Sequence, residues 1–358
     1  MNGPAELDGA KASDAELDAV RQCLVLGAAA AGTTSPNPPV GAVVLDRRGR
    51  TVGTGATQPP GGPHAEVVAL TQAGAAAAGG TLICSLEPCA HDGRTGPCTD
   101  AISAAGIARV VFSAKDPNPV AGGGAEVLRT RGIYVVGGQL LAEVRRCALG
   151  RWLTAIELGR PHVTWKYAAT LDGRVAAADG SSRWITSAPA RADVHRLRAE
   201  LDAVIVGSGT VLADDPQLSV RDDNGELVGR QPLRLVFDRR GRVPPGARVF
   251  GDGAPTVVWI DAITEALSGL YEAGMRAVLL EGGPTLAAAF VRAGCVDRIV
   301  GYIAPALLGA GPTVVGDLGI PGIAKALRLV VEDVTLIGAD VRITARPAVG
   351  ADATATEE

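Results

Sequence analysis

Aromatic side chains are scarce in this chain: Phe, Trp and Tyr together make up 3% of 358 residues. Proteins that hold single-stranded nucleic acid stack bases on aromatics inside a basic groove. The formal charge of −4 and a pI near 5.7 remove the basic groove as well. Both argue against affinity built on neutralising a phosphate backbone, although a small anionic substrate needs only a local cluster of Arg. Long apolar runs are also missing, because Gly, Arg or Asp interrupts each one before it reaches a membrane-spanning length. No positively charged and apolar leader precedes the six cysteines, which lie far apart. A secreted disulfide framework is not expected, and a cytoplasmic location is. The second half has no Gly-x-Gly-x-x-Gly, so the standard dinucleotide fingerprint is absent.

What is present centres on residues 64–98. Pro63-His64-Ala65-Glu66 opens this stretch, and Glu87-Pro88-Cys89-Ala90-His91 leads through Gly93-Arg94-Thr95 to Pro97-Cys98. One imidazole and two thiolates, His64, Cys89 and Cys98, form a three-ligand zinc set with a fourth position left open, the arrangement of catalytic rather than structural zinc. Residues two apart at a helix start point in different directions, so Glu66 is free to move protons. Zinc-dependent base deaminases use this grammar, with a non-ligand Glu as general acid and base. Eight residues rather than two separate the cysteines here.

At 358 residues, 47% of them hydrophobic, the chain is expected to fill two cores. Residues 1–12 and 350–358 are unpatterned and read as disordered tails. Ser13 and Glu16 form a capping box for a helix over about 14–31. Val40 to Asp46 and Arg50 to Gly55 read as a hairpin, entered through the rigid loop Ser35-Pro36-Asn37-Pro38-Pro39, which can present Asn37 to a ligand. A helix from His64 to about Ala73, a strand at 81–85 and a helix start at Pro88-Cys89 follow. Strands at 109–113 and 133–136 complete an α/β domain over 13–158. A boundary falls at Gly159-Arg160-Pro161.

The second domain, 159–349, reads as a mixed, mostly parallel sheet. Its strand signals lie at 163–168, 203–206, 233–237, 256–260, 277–281 and 299–303, with helices at 188–201, 263–273 and 285–293, and it ends in an antiparallel hairpin turning at Gly338-Ala339. Two glycine turns, Gly207-Ser208-Gly209-Thr210 and Gly282-Gly283-Pro284-Thr285, each follow a strand and open a helix, where backbone amides can approach a phosphate. Lys166 to Arg174, Ser182 to Thr186 and Val211 to Pro216 put charged and small residues at the ends of apolar strands, as a ligand cleft does. From composition alone, Trp184 reads as a core anchor and Arg198 as a solvated charge.

Taken together, Thr34 to Pro38, His64-Ala65-Glu66, the long Glu87 to Cys98 loop, Asp116-Pro117-Asn118-Pro119 and Glu281 to Leu286 resemble the bifunctional riboflavin-biosynthesis deaminase–reductase family over almost the whole chain. Ala90 departs from the Ser this family often has. The resemblance implies a cytidine-deaminase-like three-layer domain followed by a dihydrofolate-reductase-like domain. It further implies zinc on His64, Cys89 and Cys98, Glu66 as the catalytic residue, and Asn37 and His91 near the pyrimidine. In the reductase half it implies NADPH at Ala168, Trp184, Thr210, Asp214, Arg239 and Gly283, Pro284, Thr285, Leu286, Ala287, Ala288 and Ala289. Substrate contacts would come from Lys166, Ser182, Arg198, Leu218, Arg221 and Glu281, with Arg198 and Arg221 gripping a phosphate by planar forks. The implied substrates are small phosphorylated pyrimidines, the implied assembly a homo-oligomer, with neither nucleic acid nor membrane as partner.

Two rival functions follow from the zinc motif alone. A nucleic-acid base deaminase needs the basic, aromatic groove this chain lacks. A protein-interaction module with structural zinc needs a fourth protein ligand, for which His91 is the nearby candidate.

Overall fold

A computed structural model describes residues 11–91, 96–251 and 253–348. The expected tails, apart from Lys11 and Ala12, and residues 92–95 of the cysteine loop lie outside the described residues. The chain forms two compact units that divide between Gly159 and Arg160.

The first unit runs α1 (Asp14–Ala30), β1 (Gly41–Leu45), β2 (Thr51–Ala56), α2 (Ala65–Ala73), β3 (Thr81–Leu86), α3 (Cys98–Ala104), β4 (Arg109–Ala114), α4 (Gly124–Thr130), β5 (Tyr134–Val136), α5 (Leu141–Arg146) and α6 (Ala148–Leu158). Its sheet has the order β2-β1-β3-β4-β5, antiparallel on the β1 side and parallel from β3 to β5. Side chains alternate along each strand. Ala42, Val44, Leu82, Cys84, Val110 and Phe112 face a core shared with α2, α3 and α4, whereas Val43, Leu45, Ile83 and Val111 face α1. Three layers result, as expected. The capping box forms: the Ser13 hydroxyl accepts from the Glu16 amide at 3.3 Å, and the Ser13 amide donates to the Glu16 carboxylate at 2.8 Å. Glu16 also pairs with Arg109 at 2.6 Å, fastening the start of α1 to the start of β4.

Two glycines set how closely α2 lies on the sheet. A Cβ on Gly53 would stand 2.2 Å from the Ala69 carbonyl oxygen, and one on Gly55 would stand 2.3 Å from that of Ala65. Gly55→Ala must therefore lift the helix end that carries His64 and Glu66. Overpacking of this kind costs about 1–3 kcal/mol. The expected result is a lower unfolding midpoint in thermal melts together with weaker zinc retention.

The second unit contains β6 (His162–Thr170), α7 (Ala188–Ala199), β7 (Ala203–Gly207), α8 (Ser208–Asp214), β8 (Leu233–Phe237), β9 (Thr256–Trp259), α9 (Ile263–Glu272), β10 (Ala277–Leu280), α10 (Pro284–Arg292), β11 (Arg298–Ala304), β12 (Leu329–Ile337) and β13 (Asp340–Pro347). Its eight-stranded sheet has the order β12-β13-β11-β6-β10-β7-β8-β9. The run from β11 to β9 is parallel, and β12 and β13 form an antiparallel hairpin at one edge. This is the mixed sheet expected. Ligand-facing loops in such a sheet lie beyond the carboxyl ends of the strands. Here those ends deliver Arg174, Ser208, Arg239 and Glu281.

Candidate active sites

Register decides what meets in the first unit. Because β1 is antiparallel to β2 and β3, with Gly41 opposite Ala56 and Ala42 opposite Cys84, the start of β1 lies beside the ends of β2 and β3. The 34–40 loop, the approach to His64 and the exit to Cys89 are thereby gathered at one end of the sheet. His64 is the N-cap residue of α2 and makes no side-chain capping bond, which leaves its ring available. Its Nδ1 lies 3.3 Å from Cys98 Sγ and 3.5 Å from Cys89 Sγ, and all three ligand atoms fall within 4.8 Å of one another. Tetrahedral zinc, with bonds of about 2.0–2.3 Å, sets N and S ligands roughly 3.5 Å apart. The set fits the ion.

The electrostatics agree with a metal site. A hydrogen bond from the Cys98 thiol pulls Cys89 down to about 4, with a contribution from His64, while that same bond and burial push Cys98 up. One proton is thus shared by two thiols, and a cation would replace it. The Cys98 amide also donates to Cys89 Sγ at 3.4 Å. The bond to Cys89 raises His64. Glu66, in the first turn of α2, is buried, and burial raises its carboxyl above the ordinary value.

One local expectation is corrected. Residues 87–90 continue from β3 as a loop, and the helix start belongs to Pro97-Cys98, where Pro97 is the N-cap and Cys98 the first residue of α3. Pro88 and Pro97 both precede a cysteine, so the dipeptide could not distinguish them. Asn37 sits in the expected irregular loop, its amide bonded to Thr34 and the neighbouring Pro36 carbonyl held by Trp152 Nε1 at 2.9 Å. His91 is not in the metal set found among the described residues. Two residues to which the motif assigns no role also hold this end of the sheet. Glu87, buried just past β3, accepts from the amides of Asp116 and Ala125, and Gly124 packs directly on Pro88.

In the second unit, Leu280 pairs with Trp165, so Glu281 comes level with Lys166. Lys166 Nζ lies 3.5 Å from Glu281, and Arg198 of α7 holds the same carboxylate twice, at 2.6 and 3.0 Å. Burial alone would raise Glu281, but Arg198 and then Lys166 bring it down to about 2. Burial lowers Lys166 despite the nearby carboxylate. Arg198 is therefore a half-buried ion-pair partner rather than a solvated charge, and its fork is turned to Glu281 and the Ser219 carbonyl. Arg221 instead bonds the neutral groups Ser219 Oγ, Gly225 O and Gln217 Oε1. Two cations share this one carboxylate, and Asp214 lies near enough to act on Lys166 as well.

The two glycine turns meet because β7 and β10 are neighbours: the Gly283 amide donates to Thr210 Oγ1 at 3.1 Å. Pro284 to Ala289 form the first turns of α10, with Ala287 and Ala288 buried. Ser182 Oγ donates to Asp214 at 3.1 Å, which joins an expected substrate residue to an expected cofactor residue. Ala168 lies half-buried on β6, two residues beyond Lys166 on the same face. Arg239 is exposed at the end of β8. Leu218 is buried with φ 54°, a left-handed conformation rare for a branched residue and a mark of a constrained site. Trp184 is not a core anchor: it is 69% exposed, with the Arg191 guanidinium 4.4 Å from its ring centre. An exposed indole beside cations offers a flat face to a ligand.

This architecture is that of a zinc-site deaminase domain of the cytidine deaminase kind joined to a second α/β unit. Residues 15–114 match the family described as the cytidine and deoxycytidylate deaminase zinc-binding region, and residues 161–343 match the RibD C-terminal domain. The riboflavin biosynthesis protein RibD of Mycobacterium tuberculosis is 50% identical over 314 residues, covering 87% of this chain and 92% of that protein. Its Escherichia coli counterpart is 40% identical over 343 residues, covering 86% and 93%. The solved structure of Acinetobacter baumannii RibD superposes with a TM-score of 0.84 at 35% identity, covering 94% of this chain and 99% of that one. A Thermotoga maritima structure described as a diaminohydroxyphosphoribosylaminopyrimidine deaminase/5-amino-6-(5-phosphoribosylamino)uracil reductase gives 0.83 at 35% identity, covering 93% and 99%. The chain belongs to the RibD family of bifunctional riboflavin-biosynthesis deaminase–reductases.

Proposed function

We propose that the first unit hydrolyses the exocyclic amine of 2,5-diamino-6-(5-phosphoribosylamino)pyrimidin-4-one, and that the second reduces the ribosyl group of the resulting 5-amino-6-(5-phosphoribosylamino)uracil to ribityl with NADPH. The observation that carries the first half is the open His64–Cys89–Cys98 set with buried Glu66 beside it. Zinc there supplies Lewis acidity that makes water a nucleophile near neutral pH. Glu66 accepts one proton from the attacking water and gives it to the ring nitrogen, then accepts the second from the hydroxyl now on the ring carbon and gives it to the departing amine. Water and amine enter, and carbonyl and ammonia leave. Asn37 and His91 hold the pyrimidine from the same end of the sheet.

In the second unit the paired glycine turns, Thr210, Asp214, Trp184, Ala168, Arg239 and the start of α10 hold the cofactor, which supplies hydride. Ser182, Arg198, Leu218 and Arg221 hold the phosphorylated sugar. Arg221, whose bonds go to the neutral groups Ser219, Gly225 and Gln217, meets its phosphate. Glu281, kept ionised by its partners, orients Lys166, and Lys166 gives the proton that accompanies hydride transfer. The same reading includes a homo-oligomer, favoured by Val331, Val334 and Leu336 facing solvent along edge strand β12. It also includes work in the cytoplasm on small molecules. Among the described residues no helix is long and apolar enough to cross a membrane.

Metal removal tests the division of labour. Enzyme stripped by a chelator is expected to release no ammonia from the diamino substrate, yet to oxidise NADPH at the untreated rate when given the deaminated compound. Loss of both activities in protein whose fold is intact would contradict it.

A further inference from the structure

The geometry points to Glu87 as a positioning residue for the metal ligand Cys89, an inference that rests on the zinc reading above. Glu87 extends the pairing of β3 with β4 by one residue, its amide donating to the Ala114 carbonyl at 2.8 Å. Its carboxylate is buried and spans a gap. One oxygen accepts the Asp116 amide at 3.3 Å, and the other accepts the Ala125 amide at 3.0 Å. Ala125 lies in the first turn of α4, where amides have no partner within the helix. The carboxylate therefore ties the exit of β4 to the start of α4 and closes the 116–124 loop against the ligand segment.

That loop is stiff. Pro117 and Pro119 restrict its backbone, the Asn118 amide donates to the Asp116 side chain at 2.9 Å, and the Asn118 carbonyl accepts from Ala121 and Gly122. It touches residues on both sides of Cys89. Gly124 sits against Pro88 so closely that a Cβ would stand 1.7 Å from the Pro88 carbonyl oxygen, and the Ala90 amide donates to the Ala121 carbonyl. Cys89 itself bonds across to α3, its carbonyl accepting from Thr99 at 3.2 Å. With residues 87, 88 and 90 each held by the loop, the direction of the Cys89 thiol follows from where Glu87 places that loop. Groups that orient a ligand without touching the metal commonly change its affinity by about 10–100-fold.

The test uses the full-length protein, with zinc and then Co2+ as probes. In Glu87→Gln, an NH2 replaces one acceptor and meets a backbone N–H. This variant is expected to bind zinc about 10–100-fold more weakly than the parent in competition with a chromogenic chelator. The Co2+–thiolate absorption should shift, and NADPH oxidation with the deaminated compound should be unchanged. A folded Glu87→Gln protein with parental zinc affinity and parental Co2+ spectrum, altered only in thermal stability, overturns the inference. Should that variant not fold, Gly124→Ala, which pushes the loop off Pro88 from the other side, is judged by the same two readings, and parental values there overturn it equally. Failure of the parent to bind zinc would instead defeat the metal reading itself.

Discussion

Glu66→Ala is expected to slow ammonia release by about 10²–10⁴-fold, the usual contribution of a positioned proton carrier, while the variant keeps its zinc and still oxidises NADPH when supplied with the deaminated compound. The size of the effect follows from position. Glu66 is buried in the first turn of α2, two residues beyond the His64 that offers its ring to the metal, and both His64 and Cys98 act on its carboxyl. Water must lose a proton and the departing amine must gain one, and an apolar helix end offers no substitute for the carboxyl that moves them. Ammonia assays on zinc-loaded protein check the first part, and the decay of nicotinamide absorbance checks the second. Glu66→Gln should behave alike, because an amide has the shape but cannot take up the proton.

Glu281→Gln has the largest expected effect on stability. The substitution leaves Lys166 and Arg198 with side chains 15% and 14% exposed and no carboxylate between them. Breaking a buried ion pair by removing one partner typically costs about 3–5 kcal/mol, since the remaining charge stays desolvated and unpaired. Denaturant unfolding should show that loss in the second unit, along with a slower reduction step and unchanged ammonia release. The pH dependence has a definite sign. Glu281 is depressed to about 2 from an ordinary 4.5, so its stabilisation is fully present above about 4.5 and disappears as pH falls toward 2. The stability gap between parent and variant should hold steady near neutrality and narrow through that acid window. A gap that stayed constant down to about pH 2 would show that the charge of Glu281 is not what the cluster uses.

Much of this arrangement is legible in the sequence, and the parts that are not share a cause. His64, Glu66, Cys89 and Cys98 are a chemical grammar with few alternative meanings, and the strands of both units announce themselves through apolar runs ended by Gly, Pro or Asp. The helix start at Cys98 was misplaced onto Cys89 because local propensity cannot choose between two Pro-Cys pairs, a choice made by the packing of α3 on the core. Gly53, Gly55 and Gly124 carry no signal of their own in the sequence. Their importance lies in which backbone oxygen approaches them, and that is a property of another segment. Arg198 read as a surface charge for the same reason: its carboxylate partner stands 83 residues away along the chain. Trp184 erred in the opposite sense, an apolar residue left in solvent, where general burial rules give way to a site.

Two chemistries taken in order by one chain predict a sequence of events that a single-turnover experiment reads directly. Parent enzyme loaded with zinc is mixed with the diamino substrate and NADPH, and ammonia and nicotinamide absorbance are followed together. Ammonia is expected first, with NADPH consumed after it and mole for mole. NADPH oxidation that ran ahead of ammonia, or that proceeded while the amine stayed on the ring, would contradict the assignment.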